Sequence, residues 1–570
     1  MIETFTFDKG MNRRKSPLYL KDGEVVTADG FNFESEGVLE TRNAKTQSIA
    51  IDTDADSTIN GIHRYIDSII ASSKAYCPGD QAFFNYIYQR DKDASAYTQI
   101  GNPSASSTRP RFADYEKFIF MVDGESKHAY IDEKEYVWGV DRPANPPTVA
   151  LGAAGTPSGS YNCAVTYTIT FPNGKATETA SSGTGPTIVA ASHYIEWTNI
   201  PICPYEGTDL IIHRNLYRSV SATHYLVTTI RDNTTTTYSD NASDASLQAA
   251  SAYGTLSYST PPDNAVDIAL YLQRIFLIKD NSLYWSEPYE PFVFKTTSDV
   301  VITKDDEKLV GIINWGDQLY IASKEEWYRL QGGDPDTWTI KRTFTDSGIV
   351  NRHTIKKSKY GIIGLDYDGV YLFDGSITQS LTETVFGRSF FTDLDDLSVC
   401  YAEFDGEIYY LYYASSGTTL DSCLKIDLTH GRSNFQAYTG GFVDAHDFYR
   451  EETTRYQAYA GYEYTEGGTE TIATELLTGD KVFGNIGQLK NLEYLYYDID
   501  TNDIDVSVTI YVDGTAGQVL TLNTSDRERK RSEKLGNLEG YKFSIGVTCA
   551  DSQYLKIYGP WLLEGTPVGK

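Results

Sequence analysis

Short turn dipeptides recur between alternating apolar segments along most of this chain, and they constrain its fold more than any other feature. Asp-Gly or Asn-Gly begins at Asp22, Asp123, Asn173, Asp368, Asp374, Asp405 and Asp513. Both central residues of a type I′ hairpin need positive φ, which Asn, Asp and Gly tolerate best. The pattern therefore predicts a chain built mainly as an antiparallel β meander.

The amino-acid composition also favours strands over helices. Tyr occurs 44 times and Gly 46 times in 570 residues, whereas Met occurs only 3 times. Aromatic side chains suit a pleated, half-buried surface. At 40% apolar and 22% charged residues, the chain is too apolar to be disordered. The longest concentrated apolar run, Phe118–Val122, is only long enough for a strand, and Met1–Lys15 lacks the apolar core of a secretory signal. We therefore expect no integral membrane association.

Paired aromatic strands repeat at a nearly constant pitch after about residue 265. They are Leu272–Trp285, Ile312–Leu330, Tyr360–Phe373, Cys400–Tyr413 with Leu424–Asp427, and Phe448–Tyr464. Their centres lie roughly 40 to 46 residues apart, which is the length of one four-stranded propeller blade. The repeat predicts a β-propeller of about six blades.

Two regions depart from this repeat. Between Pro143 and Pro262 the charge falls, and apolar and polar residues alternate strictly from Tyr161 to Phe171, as in an immunoglobulin-like or fibronectin-III-like sandwich. After about Glu475 the strands alternate without the repeat, which predicts a C-terminal β-sandwich. The predicted all-β organisation is an N-terminal β segment with the first propeller strands (1–142), an inserted sandwich (143–262), propeller blades (263–475) and the C-terminal sandwich (476–570).

The sequence lacks the motifs of common metal and nucleotide sites. The eight histidines show no HxH, HxxxH or HExxH spacing, and there is no GxSxG or GxxxxGK[ST] string. Two Asp-rich series imitate the start of a calcium loop, namely Asp52, Asp54 and Asp56, and Asp498, Asp500 and Asn502. Both series lack the Gly and the bidentate Glu that such a loop requires. We expect no metal site, no cofactor and no catalytic residue, and hence no enzyme.

Carboxylates at predicted hairpin ends leave an enzymatic alternative open. They are Asp366, Asp368, Asp374, Asp405 and Glu407. A glycosidase on a propeller needs two carboxylates that flank the sugar, although Asp at a hairpin tip is also explained by the turn itself. The alternatives to a structural role are therefore a glycosidase or depolymerase acting on host surface polysaccharide, and a receptor-binding adhesin.

The formal net charge is −29, from 49 basic and 78 acidic residues. Such a chain does not read as a free-standing nucleic-acid binder, because its field repels phosphate. One basic run, which we expect to be a solvated loop between two strands, comprises Arg527, Arg529, Lys530, Arg531 and Lys534. The six cysteines are far apart and without CxxC spacing, which predicts buried free thiols made in a reducing compartment.

Several short strings resemble a known family. The segments Gly10–Glu24, Asn32-Phe33 and Gly37–Arg42 resemble the start of the tail nozzle proteins of short-tailed bacteriophages. These proteins are also described as tail tubular protein B-like or as stopper-type, packaged-DNA stabilisation proteins. Asn12, Ser16-Pro17 and Asp22-Gly23-Glu24 fit the family string, although Asn43 stands where Gly is usual. Weaker resemblance continues at Arg214–Arg218, Leu283–Pro288 and Tyr371–Gly375.

The resemblance implies a virion structural protein, assembled in the host cytoplasm and located in the virion tail. It implies a homo-oligomeric ring, a hexamer, with portal and adaptor proteins above it and tail fibres or tail tip proteins as further neighbours. Its axial channel would retain packaged double-stranded DNA and conduct it at ejection, without reading its sequence. An acidic wall suits such a conduit, because it repels phosphate. We predict that Asp393, Asp395 and Asp396 face the channel.

Overall fold

The computed structural model describes the whole chain except residues 8, 36, 43–44, 53–56, 79, 105, 107, 137, 140, 206–208, 250–251, 253–257, 305, 344, 346, 430–434, 440–445, 452–453, 460–461, 467–471, 551–553 and 570. It is nearly all β, as the sequence predicted. The chain divides into two compact units. Unit 1 comprises Met1–Pro103, Trp315–Leu330 and Ile340–Lys570, and unit 2 comprises Ser104–Asn314 and Gln331–Thr339.

The N-terminal region contributes strands to two kinds of sheet. Its first strands are β1 (Ile2–Phe5), β2 (Gly10–Met11), β3 (Glu24–Asp29), β4 (Phe31–Ser35), β5 (Val38–Thr41) and β6 (Lys45–Ala50). A short 3₁₀ turn covers Pro17–Tyr19. Unlike the other predicted hairpin dipeptides, Asp22-Gly23 does not join two antiparallel neighbours, because β3 pairs in parallel with β2.

Two meanders follow, each forming a four-stranded sheet. The strands of the first are β7 (Thr58–Tyr65), β8 (Ser68–Cys77), β9 (Ala82–Asp91) and β10 (Thr98–Ser104). Those of the second are β11 (Arg111–Tyr115), β12 (Phe118–Val122), β13 (Lys127–Ile131) and β14 (Lys134–Tyr136). Every residue of β12 is buried, as expected for a strand with a neighbour on both faces.

An immunoglobulin-like sandwich interrupts the propeller, as predicted. Its strands are β15 (Thr148–Tyr161), β16 (Cys163–Thr170), β17 (Ala176–Glu178), β18 (Ile188–Thr198), β19 (Ile211–Val220), β20 (Thr223–Ile230) and β21 (Tyr238–Asp240), and helix α1 (Asp244–Gln248) follows. The order is β15-β18-β21 in one sheet and β17-β16-β19-β20 in the other. Val165, Trp197 and Leu216 are among the residues buried between them. Within unit 2, Phe171 of the sandwich stacks on Phe292, at 3.9 Å between ring centroids.

The propeller resumes after the sandwich. The next strands are β22 (Tyr258–Ser259), β23 (Asp267–Tyr271), β24 (Arg274–Lys279), β25 (Ser282–Glu287), β26 (Glu290–Val301), β27 (Leu309–Trp315), β28 (Gln318–Ser323), β29 (Trp327–Gln331) and β30 (Thr339–Arg342). They form a five-stranded sheet, β22-β26-β25-β24-β23, and a four-stranded sheet, β27-β28-β29-β30. Short 3₁₀ turns cover Pro335–Thr337 and Arg352–Thr354.

Three further sheets complete the repeat. Their strands and one helix are β31 (Lys356–Lys357), β32 (Ile362–Asp366), β33 (Gly369–Phe373), β34 (Thr378–Ser380), α2 (Arg388–Thr392), β35 (Tyr401–Phe404), β36 (Ile408–Tyr413), β37 (Ser422–Asp427), β38 (Phe435–Thr439), β39 (His446–Glu451), β40 (Thr454–Tyr459) and β41 (Tyr462–Glu466). A 3₁₀ turn covers Leu397–Val399. The fourth strand of the last sheet is β6, which pairs antiparallel with β41. Apart from the inserted sandwich and the sheets that join the two chain ends, the described residues form seven sheets of four or five strands, where the sequence predicted about six blades.

The two ends of the chain share a second sandwich. Its C-terminal strands are β42 (Thr474–Thr478), β43 (Lys490–Asp500), β44 (Val506–Val512), β45 (Thr515–Leu522), β46 (Glu528–Arg531), β47 (Leu538–Gly540), β48 (Phe543–Cys549), β49 (Lys556–Tyr558) and β50 (Trp561–Pro567). One sheet has the order β2-β3-β42-β48-β44-β45. The other has the order β1-β50-β43-β49-β5-β4, with β46 and β47 also paired to β43.

The β44–β45 turn shows why the dipeptide pattern was informative. Val512 pairs with Thr515, so the loop is only Asp513-Gly514, and both residues have positive φ, at 51° and 83°. This is the backbone that a type I′ turn requires. The core of unit 1 extends from this terminal sandwich to the blades β31–β34 and β35–β38, and includes Phe5, Leu365, Leu411 and Trp561.

Candidate functional site

The antiparallel order of β31–β34 and β35–β38 sorts the candidate carboxylates between two ends of these sheets. In a meander, successive turns lie at alternate ends. The β32–β33 turn therefore lies at the same end as residues 381–400, which connect β34 to β35. We call this the connector end and the opposite one the hairpin end. Asp366 and Asp368 lie at the connector end, whereas Asp374, Asp405 and Glu407 lie at the hairpin end.

Asp366 is the last residue of β32, and its carboxylate is buried. It accepts hydrogen bonds from the backbone N–H of Tyr367, at 2.7 Å, and of Gly348, at 3.2 Å. The pKa of Asp366 is raised to about 6, chiefly by burial and also by the neighbouring charge of Asp368, while the two N–H donors oppose this rise. This carboxyl group therefore exchanges a proton near neutral pH.

Asp368 has a different environment, although it is only two residues away. Its Oδ1 accepts a hydrogen bond from the Tyr371 hydroxyl at 2.8 Å, and its Oδ2 lies 3.1 Å from Nε of Arg388. The Asp368 side chain is partly exposed. Burial and the hydrogen bond to Asp368 raise the pKa of Tyr371, so its hydroxyl keeps its proton and acts as a donor.

Together these residues form a pair of carboxyl groups with contrasting properties. Asp366 is buried and holds a proton up to about pH 6, whereas Asp368 is paired with a guanidinium group. A buried carboxyl group with a raised pKa, beside a second carboxylate that contacts a guanidinium group, resembles the arrangement used in general acid and base catalysis. We call Asp366, Asp368, Tyr371 and Arg388 the connector-end cluster.

The hairpin-end carboxylates are engaged in turns. Asp374 Oδ1 accepts the backbone N–H groups of Ser376 and Ile377, each at 2.9 Å. Asp405 Oδ1 accepts those of Glu407 and Ile408, at 3.0 and 2.8 Å. Asp is favoured at these positions because its short side chain can close the turn in this way. The structure does not bring these carboxylates to Asp366 or Asp368.

The acidic loop predicted to face a channel lies at the connector end. Asp393 and Asp395 are exposed, and Asp396 is partly buried. Asp395 accepts the backbone N–H of Gly417 at 2.6 Å, and Asp396 accepts that of Ser398 at 2.7 Å. Two of the three carboxylates thus also shape the loop, while their charge stays near the surface.

The two imitations of a calcium loop are used in other ways. Asp52 accepts a hydrogen bond from the Ser73 hydroxyl at 2.6 Å, while Asp54 and Asp56 lie outside the described residues. Both carboxylate oxygens of Asp498 bind Arg527, at 2.8 and 2.7 Å. Within the described part of the chain, no group of three or more His, Cys, Asp or Glu side chains is arranged to hold a metal ion.

The basic run is not the loop that the sequence suggested. Arg529, Lys530 and Arg531 belong to β46, which pairs with β43. Arg527 stacks on Tyr558, at 3.8 Å from the ring centroid, and Arg531 on Tyr494, at 4.3 Å. Charged residues on an outlying strand discourage pairing with other chains. A basic run has the same composition in such a strand as in a solvated loop, so the sequence does not distinguish the two.

No sequence motif indicated a role for Arg388, which lies 20 residues after Asp368 in the chain. Tyr371 was part of a family string, but nothing in that string indicated its contact with Asp368. None of the six cysteines forms a disulfide bond, and all except Cys77 are buried. None of the helices in the described part of the chain has the length and apolar character needed to cross a membrane.

Comparison with known proteins identifies no family. No protein-family model matches the chain, and no curated protein matches it. Among solved structures, an exo-β-1,3-galactanase from Phanerochaete chrysosporium with β-1,3-galactotriose shares 9% identity at a TM-score of 0.21, covering 92% of this chain and 100% of that chain. A glycoside hydrolase family 43 arabinoxylan arabinofuranohydrolase from Bacillus subtilis shares 9% at 0.19, covering 92% and 99%. The AfRom2 CNH domain shares 7% at 0.22, covering 75% and 99%.

These matches correct one prediction from the sequence. We expected no enzyme, and that expectation is contradicted by the glycoside hydrolases among the matching structures. At identities of 7% to 9% and TM-scores of 0.19 to 0.22, we take no activity or substrate from these proteins.

Proposed function

We propose that this chain is the tail nozzle of a short-tailed bacteriophage. In this proposal, six copies form a ring in the virion tail whose acidic channel retains packaged double-stranded DNA and conducts it at ejection. The observation that carries the proposal is that the residues of the family-like N-terminal string contact one another and fasten the start of the chain to the rest of unit 1.

The centre of this network is Asn12, which is buried. Its side-chain amide donates to Glu24 Oε1 at 3.1 Å, and its Oδ1 accepts the backbone N–H of Arg14 at 3.2 Å. Lys15 forms an ion pair with Glu24 at 3.0 Å. Asn12 and Lys15 thus both bind the Glu24 carboxylate, and these contacts define the local conformation of the string.

The string also holds more distant parts of unit 1. The carbonyl of Pro17 accepts the backbone N–H of Asp480 at 3.0 Å. Lys425 of β37 donates to Asn32 Oδ1 at 2.7 Å, and both residues are buried. The string therefore contacts other parts of unit 1, including the start of the terminal sandwich. These contacts support interpreting it as a family feature rather than as a chance match of short sequence segments.

The charge of the chain suits a conduit for DNA. Each copy carries −29, and this total includes the exposed carboxylates of Asp393 and Asp395 at the connector end. Duplex DNA carries about one negative charge per 1.7 Å of its length, so an acidic wall repels it, whereas a basic wall would bind it through counterion release. Portal or adaptor proteins and tail fibres or tail tip proteins are the proposed partners.

The assembly can be tested by native mass spectrometry and negative-stain microscopy of the purified full-length chain. We expect a mass of six copies and ring-shaped particles. A single copy at all concentrations, with no rings in virions or in the pure protein, would refute the nozzle.

The conduit can be tested separately by charge reversal. Asp393→Lys with Asp395→Lys should convert a chain that does not retain duplex DNA at low salt into one that does. The matched control is Glu407→Lys, which also reverses an exposed charge but at the hairpin end. Equal DNA retention by both variants would contradict a special role of the acidic loop.

A second candidate function rests on the connector-end cluster. There, Asp366 and Asp368 could act as the acid and the base or nucleophile of a glycoside hydrolase, because Asp366 is buried with a raised pKa and Asp368 contacts the guanidinium group of Arg388. Incubation of the pure chain with host capsule and cell-wall polysaccharides would test it. Saccharide release that is abolished by Asp366→Asn and by Asp368→Asn, but not by Asp405→Asn, would support it, and no release from any polysaccharide would remove it.

A further inference from the structure

A small cavity lies beside β33 and β34 and reaches the hairpin end of the blade β31–β34, where Tyr360 and Asp374 line it. Its volume is about 360 Å³. Three leucines from two neighbouring blades contribute its apolar lining, namely Leu372, Leu381 and Leu428. Leu381 and Leu428 are buried, at 2% and 9% exposure. Because both blades lie within unit 1, the cavity belongs to one compact body.

Apart from Ile377, which is 64% exposed, the remaining lining is polar or aromatic. Tyr360 is 44% exposed and stands at the turn between β31 and β32, with Lys359 Nζ 5.0 Å from its ring centroid. Asp374 and Gln379 are exposed lining residues. The two backbone N–H groups bound to Asp374 Oδ1 fix the direction of that carboxylate. A preorganised acceptor and an amide therefore stand beside an apolar surface.

This combination selects a particular ligand chemistry. A phosphate or carboxylate ligand would meet Asp374 in a chain of net charge −29. A wholly apolar ligand would desolvate that carboxylate and the Gln379 amide without replacing their hydrogen bonds. A neutral sugar ring has C–H groups on its faces and hydroxyl groups around its edge, so it can satisfy both kinds of lining at once.

We propose that this hairpin-end cavity binds one neutral hexose unit of a glycan. The leucines and Tyr360 contact the C–H face of the sugar, while Asp374 accepts a hydrogen bond from a sugar hydroxyl and Gln379 donates or accepts another. The volume falls at the lower end of the range for small-molecule sites. Binding here goes beyond the proposed nozzle, and it requires neither ring formation nor hydrolysis at Asp366.

Saturation-transfer NMR of the full-length chain tests the proposal directly. The probes are methyl β-galactoside, methyl α-glucoside and N-acetylglucosamine, with inorganic phosphate and a nucleoside monophosphate as anionic competitors. We expect transfer to the ring protons of at least one sugar, with no displacement by either anion. Loss of aromatic stacking in Tyr360→Ala should weaken binding about fivefold or more, and Gln379→Ala should weaken it as well.

The matched control is Tyr367→Ala. Tyr367 is 50% exposed, much like Tyr360 at 44%, but lies in the turn at the connector end. Its loss should leave sugar binding unchanged. Because Tyr360 and Gln379 are exposed, both variants should keep the native circular dichroism spectrum. The proposal is overturned if no sugar shows transfer, if the anions displace it, or if the Tyr360 and Tyr367 variants bind equally well.

Discussion

A buried ion pair secures the sheet that the N-terminal strand β6 completes. Glu463 of β41 is fully buried, and Arg90 of β9 is 3% exposed. One guanidinium nitrogen of Arg90 contacts both carboxylate oxygens of Glu463 at 2.9 Å, and the Tyr97 hydroxyl donates to the same carboxylate at 2.6 Å. The Ser48 hydroxyl of β6 donates to the Glu463 carbonyl at 2.9 Å. The pair thus joins the completed sheet to its neighbour β7–β10.

The variant Glu463→Gln keeps the shape of the side chain and removes its charge. Arg90 would then stay buried without the negative charge of Glu463. Removing one partner of a buried pair costs about 3 to 5 kcal/mol, so the free energy of unfolding of unit 1 should fall by that amount. Replacing both partners, as in Arg90→Met with Glu463→Leu, should recover much of the loss, because no charge is then left buried.

Urea unfolding followed by circular dichroism would measure the change, and hydrogen exchange would show whether β6 and β41 lose protection first. The matched control is Asp67→Asn. Asp67 lies 3.6 Å from Lys92, but the two side chains are 58% and 33% exposed. Exposed pairs contribute about 0 to 1 kcal/mol. The reasoning fails if Glu463→Gln unfolds at the same urea concentration as Asp67→Asn, or if the double variant is less stable than both single variants.

Three further predictions concern stability. The pKa of Asp366 is about 6, above its ordinary 3.8, so the stabilisation from its bound proton is complete below about pH 3.8 and lost as the pH rises through 6. The melting temperature of Asp366→Asn, relative to that of the native chain, should therefore be higher at about pH 7.5 than at about pH 4.5. An equal difference at both pH values would contradict this. Trp561 is fully buried and packs edge-on against Phe7 at 6.0 Å, so Trp561→Ala should cost about 3 to 5 kcal/mol in urea unfolding, and a loss below about 1 kcal/mol would argue against this packing. Arg218 and Asp240 form a fully buried pair at 3.1 Å, and burial raises the pKa of Asp240. Arg218→Met should therefore destabilise the inserted sandwich more at pH 7 than at pH 4, and a loss independent of pH would show that the Asp240 charge is not its cause.

The candidate site could be predicted only in part. Asp366, Asp368 and Asp374 were equivalent in the sequence, because all three stand at the ends of predicted strands. The antiparallel order of the sheet then placed Asp374 at one end and the other two at the opposite end. The contact of Asp368 with Arg388 could not be predicted, since it depends on how the connector between two blades folds back on the β32–β33 turn.

The sequence by itself determined the hairpins and the alternation of buried and exposed residues. These features are local: a type I′ turn such as Asp513-Gly514 depends only on the φ values that two neighbouring residues can adopt. The tertiary structure alone decided which distant strands meet. Ala50 pairs with Tyr462, and Ile2 pairs with Glu564. Backbone hydrogen bonds are the same for nearly every residue type, so strand partners so far apart are selected by the burial of whole sheets, which no local string of residues records.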